Sequence, residues 1–224
     1  DIRLREIELA ECDDAGVAVR DSNGITLESG TIARASTGVR LERVTGCEVS
    51  GLVLTELKEA GILLTQSLRS GIRGNTIQAP GEAGLRLAES SENAVTDNDI
   101  HGGTLAGIDL NAGDDNLVTE NVIRDAAIGI RLNEADSALV LRNTIAGQDV
   151  GLALIGSVGC RILQNRVAGG SVGISVASSV GAIVLHNSAQ SRSVAGLALL
   201  GDTREATVRR NDVMVVSACD VGST

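Results

Sequence analysis

Apolar residues recur along this chain on two scales. Locally they alternate with polar residues at period two, in runs rich in Val, Ile and Thr that Gly and Asn interrupt. That is strand and turn chemistry, not helix chemistry. At longer range a glycine preceding an apolar-x-apolar run stands at Gly16, Gly38, Gly61, Gly84, Gly107, Gly129, Gly151, Gly173 and Gly196, in steps of 22 or 23 residues. A second apolar centre follows about 11 residues on, at Ile72, Val95, Val118, Val140, Ile162 and Val184. A third follows about 16 on, at Ile77, Ile100, Ile123, Ile145 and Val167. Each unit therefore predicts three short strands with no helix between them. A leucine-rich repeat of similar length would need a denser leucine pattern and a helix-forming back half. Strands of this kind are parallel if the chain coils, each turn stacking on the last at about 4.8 Å. Nine starts predict a rod roughly 40 Å long.

The sequence GIDLN at 107–111 returns as GIRLN at 129–133. The underlying pattern, GIxLxxxxxxxIxxNxI, resembles the right-handed parallel β-helix, the pectin-lyase-like superfold. The resemblance covers nearly the whole chain. It implies an all-β, single-stranded solenoid of about nine coils with three sheets and an internal Asn ladder. Residues 1–224 would form one domain, 1–15 a partial first coil and 196–224 the last coil and end. The glycine-initiated strand would be the first sheet, the strand before the asparagine the second, and the strand after it the third. Lyases, hydrolases, epimerases, phage adhesins and inert stalks share that fold, so it leaves function open.

Asn75, Asn98, Asn121, Asn143, Asn165 and Asn187 all fall 14 residues after their glycine, and Asn211 falls one later. Stacked at the turn between second and third sheets, they tolerate a left-handed backbone, and their amides bond backbone groups and one another. Gly30 and Leu52 stand there in the first two coils, which predicts a looser corner.

Composition narrows the partners. A net charge of −10 without a basic run excludes a nucleic-acid partner of the ordinary electrostatic kind. No 18-residue apolar stretch or leader-like start occurs, so the chain predicts neither a membrane span nor a signal peptide. Cys47 and Cys160 share a repeat position five coils apart, and Cys12 and Cys219 lie near opposite ends, so four reduced thiols are expected; the compartment stays open. The chain contains no Phe, Tyr or Trp. Its core must be slender, and ring stacking on sugars or single-stranded nucleic acid is closed to it.

Candidate chemistry lies first on the outward face of the first sheet, where the resemblance places the cleft of polysaccharide-processing members. Positions two and four after each glycine point outward. They bring Arg86, Asp109 and Arg131 into a row flanked by Asn111 and Asn133. The arginines suit a uronate carboxylate, and Asp109 suits an acid, a base or part of a cation site. An alternating salt-bridge ladder is the plainer reading. Asp97 and Glu120 share a repeat position, with Asp99, His101 and Asp125 near the same edge. Such carboxylates are candidate ligands for calcium, the one cofactor the pattern suggests; Arg142, next in the column, would partly neutralise them. The sequence GGSVG at 169–173 lacks a nucleophile elbow and reads as a coil turn. His101 and His186 are too isolated for zinc.

The second sheet turns apolar in its C-terminal half. Its outward positions read Leu139, Leu141, Leu163, Ile183 and Leu185, an exposed stripe of the kind that forms an interface. A one-residue slip in register would bury it instead. Both ends read as strand without a polar cap, which predicts a homo-oligomer or contact with the remainder of a larger protein. The first expectation is a non-catalytic, self-associating scaffold. The alternative is a domain acting on an acidic polysaccharide by lyase, epimerase or hydrolase chemistry.

Overall fold

The computed structural model describes residues 2–147 and 149–216. Among them every regular element is a strand, and successive coils pair in parallel to make a β-solenoid of about nine turns. No helix among them is long and apolar enough to cross a membrane. Cys219 lies outside the described residues.

Three apolar columns run the length of the solenoid. In the first sheet Ile62, Leu85, Ile108, Ile130, Leu152, Ile174 and Leu197 pair from coil to coil. In the second Val49, Ile72, Val95, Val118, Val140, Ile162 and Val184 do so. In the third the column is Leu54, Ile77, Ile100, Ile123, Ile145, Val167 and Ala189. Nearly all of these are fully buried. Each buried Leu, Ile or Val contributes about 1.5–3 kcal/mol, so a thin core of aliphatic side chains is sufficient.

The recurrent glycines have a packing reason. A Cβ on Gly129 would sit 2.1 Å from Ile145 Cγ2 and 2.4 Å from the Gly151 carbonyl oxygen, and one on Gly107 would sit 2.3 Å from Ile123 Cγ2. These glycines make room for the third-sheet side chains of their own coils. The period thus follows from three columns meeting in a narrow cross-section.

The asparagines are buried, at 0–2% exposure from Asn75 to Asn187. Asn121 is representative: Nδ2 donates to Asn143 Oδ1 at 3.0 Å and to the Val95 carbonyl at 2.9 Å, and its N–H donates to Asn143 Oδ1 at 2.9 Å. The left-handed residue is a different one, however. It is the position just before each asparagine: Asp97, Glu120, Arg142, Gln164 and His186, with φ between 54° and 59°. Burying the amide ties the asparagine down, so the preceding residue, free to face solvent, takes the turn.

The first coils are not loosened. Ile2–Arg20, Ile25–Glu42 and Glu48–Leu57 run through this corner as continuous strands, with Gly30 paired to Leu52. Leu52 is 1% exposed and donates its N–H to Asn75 Oδ1 at 3.0 Å, so a core side chain fills the corner.

A second polar column, not apparent from the repeat pattern, lines the opposite corner. Ser67, Ser70, Ser90, Asn93 and Asn116, then Ser157 and Ser179, are buried there. Asn93 Nδ2 donates to Asn116 Oδ1 at 3.2 Å and to the Ser67 carbonyl at 3.1 Å. The signal was present at six and nine residues after the glycine, but small residues, Cys47 and Cys160 interrupt it.

Candidate functional site

Strands Ala83–Ala88, Ala106–Asn111 and Ile128–Asn133 set Arg86, Asp109 and Arg131 in register, with Asn111 beside Asn133. Ile108 and Leu110 belong to the core, so strand alternation turns Asp109 outward. It is nevertheless fully buried. Arg131 donates Nε to Oδ1 at 2.7 Å and Nη2 to Oδ2 at 3.1 Å, and Arg86 Nε lies 3.5 Å from Oδ2. The two arginines close over the carboxylate, with their own side chains 34% and 23% exposed. Arg86 also donates to Glu82, and Asn133 Nδ2 donates to Asn111 Oδ1 at 2.8 Å.

This arrangement directs donors outward and keeps the acceptor covered. A general acid or base must reach the substrate proton within hydrogen-bond distance, and here both oxygens of Asp109 already accept from Arg131. The two guanidiniums are balanced by two carboxylates, the buried Asp109 and the exposed Glu82, so the row carries no surplus charge. Toward the N-terminus Arg40 forks onto Asp14, Nη2 to Oδ1 at 2.6 Å and Nη1 to Oδ2 at 2.7 Å. That contact holds the Asp14 carboxyl below its ordinary range.

Two of the acids beside the corner between second and third sheets, Asp99 and Glu120, have arginine neighbours. Asp99 accepts from Arg124 Nη1 at 2.9 Å and Glu120 lies 3.7 Å from Arg142 Nη1, while at the turn after the third sheet Asp125 Oδ2 lies 2.7 Å from His101 Nε2. Asp97 and Glu120 help to line a shallow groove with Arg73, Ser29 and Ser50. Among the described residues no group of three or more His, Cys, Asp or Glu is gathered as a metal site needs.

On the second sheet Val140, Ile162 and Val184 face the core and are fully buried, so the register turns Leu139, Leu141, Leu163, Ile183 and Leu185 outward. All five are half-buried. Ile155, Leu199 and Leu200, at 38–51% exposure, are more open than any of these five. They lie on or beside the first sheet. The segment GGSVG at 169–173 is a coil turn leading into the strand Val172–Ala177, with Ser171 N–H bonded to the Asp149 carbonyl.

Several solved structures share the architecture. The periplasmic alginate epimerase AlgG superposes with TM-scores of 0.79–0.83 at 16–17% identity, covering 90–93% of this chain and 58% of that one. XylC, solved in complex with xylose, gives 0.69 at 13% identity, covering 85% and 42%. The GH136 lacto-N-biosidase from Eubacterium ramulus gives 0.64 at 12% identity, covering 95% and 45%. The chain thus spans less than two thirds of each of these proteins, and at such identities the likeness is one of fold. No curated protein matches the sequence. The family described as the right handed beta helix region matches residues 15–167 and 70–213. With its coil period, its parallel columns and its buried Asn ladder, the chain belongs to that right-handed β-helix family.

Proposed function

We propose that the chain is a non-catalytic β-solenoid module, a structural and interaction scaffold that self-associates through the second-sheet stripe. The observation that carries this reading is the state of Asp109: the acid best placed for first-sheet chemistry is fully buried, with both oxygens held by Arg131. The outward stripe of Leu139, Leu141, Leu163, Ile183 and Leu185 supplies the surface for association. Light scattering after size exclusion tests it, with refractive-index detection because the chain has no Trp or Tyr. A dimer or larger assembly that Leu141→Glu dissociates is expected; a monomer at all concentrations overturns it.

A second reading is favoured by the row of Arg86 and Arg131 and by the epimerase among the structural neighbours. In it the first sheet acts on an acidic polysaccharide by lyase, epimerase or hydrolase chemistry. The arginines hold a uronate carboxylate, Asn111 and Asn133 bind the sugar, and Asp109 acts once Arg131 swings onto the substrate. Asp97, Glu120 and Asp99 are its candidate calcium ligands. Calcium-dependent binding of oligouronides that is lost in Asp109→Ala or Arg131→Ala would establish it.

A further inference from the structure

The third-sheet side carries a groove unrelated to the Asp109 ladder. Strands Val122–Arg124, Thr144–Ala146, Arg166–Ala168 and Ser188–Ser191 stack with Arg124, Ala146, Ala168 and Gln190 in register. Around the following turn the column continues as Asp125, Gly147, Gly169 and Ser191, a run of about 14 Å at strand spacing. The two middle members carry no side chain because the turn forbids one. A Cβ on Gly147 would lie 2.4 Å from the Val150 carbonyl oxygen, and one on Gly169 would lie 2.0 Å from that of Val172. The result is a groove of 340 Å³, floored by alanine and glycine, with Asp125 at one end and Gln190, Ser191 and Arg192 at the other.

The end formed by Gln190, Ser191 and Arg192 holds an anomaly. Ser191 is 2% exposed, and its Oγ is the one buried side-chain oxygen or nitrogen among the described residues without a hydrogen-bond partner. Buried hydroxyls are normally bonded. This one belongs to a residue lining a groove and turns about a single side-chain torsion, so a ligand group seated over Gly169 can supply the missing partner.

We propose that this groove binds a small carboxylate-bearing polyol, about the size of a disaccharide. Its volume is at the low end of ligand pockets, which run from about 300 to 1,000 Å³. The exposed Arg192 offers a fork for the carboxylate. The Gln190 amide and the Ser191 hydroxyl match ligand hydroxyls at the same end. Asp125, one oxygen of which lies 2.7 Å from His101 Nε2, accepts from hydroxyls at the other. The flat alanine and glycine floor suits the C–H face of a ring. An extended peptide is a poorer fit because the groove's backbone is already paired: Gly147 N–H bonds the Ala168 carbonyl and Gly169 N–H that of Gln190. The groove is independent of self-association through the second sheet.

Calorimetric titration of the full chain with digalacturonate, against neutral galactobiose, tests the assignment. Saturable binding of digalacturonate at one site is expected, with galactobiose at least about tenfold weaker. Arg192→Gln should weaken binding about 10- to 100-fold, the loss of a charge-assisted hydrogen bond. Ala168→Leu, a change at an exposed floor position, should abolish binding without lowering the thermal midpoint. Ser191→Ala should weaken binding while holding or raising that midpoint, since it removes an unbonded buried hydroxyl. Absence of binding, binding that survives Ala168→Leu, or binding lost in Arg131→Gln but kept in Arg192→Gln would each overturn the proposal. The last of these would move the sugar to the first sheet.

Discussion

Arg131 reaches back one coil to hold both carboxylate oxygens of Asp109, at 2.7 and 3.1 Å, and leaves that carboxylate with no exposed surface. Breaking such a pair from one side strands a buried charge. Arg131→Gln should therefore lower stability by about 3 kcal/mol, the low end for a buried pair because Arg131 is itself 23% exposed. Urea denaturation followed by far-ultraviolet circular dichroism measures it. The paired change Asp109→Leu with Arg131→Leu should be close to neutral, which would separate a structural pair from a retained functional one.

The Asn ladder is tested at its centre. Asn143→Leu removes the acceptor of the Asn121 N–H and the donor to the Val118 carbonyl, at 2.9 Å each. Two buried backbone groups left bare at about 1–3 kcal/mol apiece predict a loss of about 2–6 kcal/mol. Asn211→Leu, in a half-buried corner, should cost less. The same denaturation experiment ranks them.

Glycine substitutions should split by location. Gly129→Ala forces a methyl into Ile145 and the Gly151 carbonyl and should cost about 3 kcal/mol or more. At Gly46 there is no atom within 4 Å of the new methyl, but φ is +62°, so the cost is that of a left-handed alanine, about 1–2 kcal/mol. Thermal midpoints of the two variants should differ in that order.

Burial pushes the Cys160 thiol up to about 11 from an ordinary 9.0. The folded state then holds its proton more tightly than the unfolded state. The contribution of Cys160 to stability is complete below pH 9 and is lost as pH rises toward about 11. Measured against Cys160→Ala, the stability of the parent chain should fall across that window. Under native conditions a thiol reagent should label the half-buried Cys12 well before Cys47 or Cys160.

Much of the site was legible because its geometry follows from period and alternation. Arg86, Asp109 and Arg131 share one step of a 22–23-residue repeat, so their alignment could be read without coordinates. The burial of Asp109 could not, because it depends on two long side chains folding across it from neighbouring coils. The left-handed corner was assigned one residue late for a similar reason: propensity favours asparagine there, but burial of its amide moved the turn onto Asp97, Glu120, Arg142, Gln164 and His186. The polar column of Ser67, Ser90, Asn93 and Asn116 was masked by the alanines and cysteines that share its positions.

The solenoid, its coil count, the strand register and the asparagine column are legible in the chain alone. Each is the repetition of a local pattern, and a one-residue error would have turned the core outward. What the surface offers came from the folded molecule: a carboxylate shut beneath two arginines, Asp99 and Glu120 beside arginines, and a buried, unbonded hydroxyl at the end of a groove floored by glycine. Those depend on which side chains meet across coils and corners, where packing and charge select among arrangements that the repeat leaves equally available.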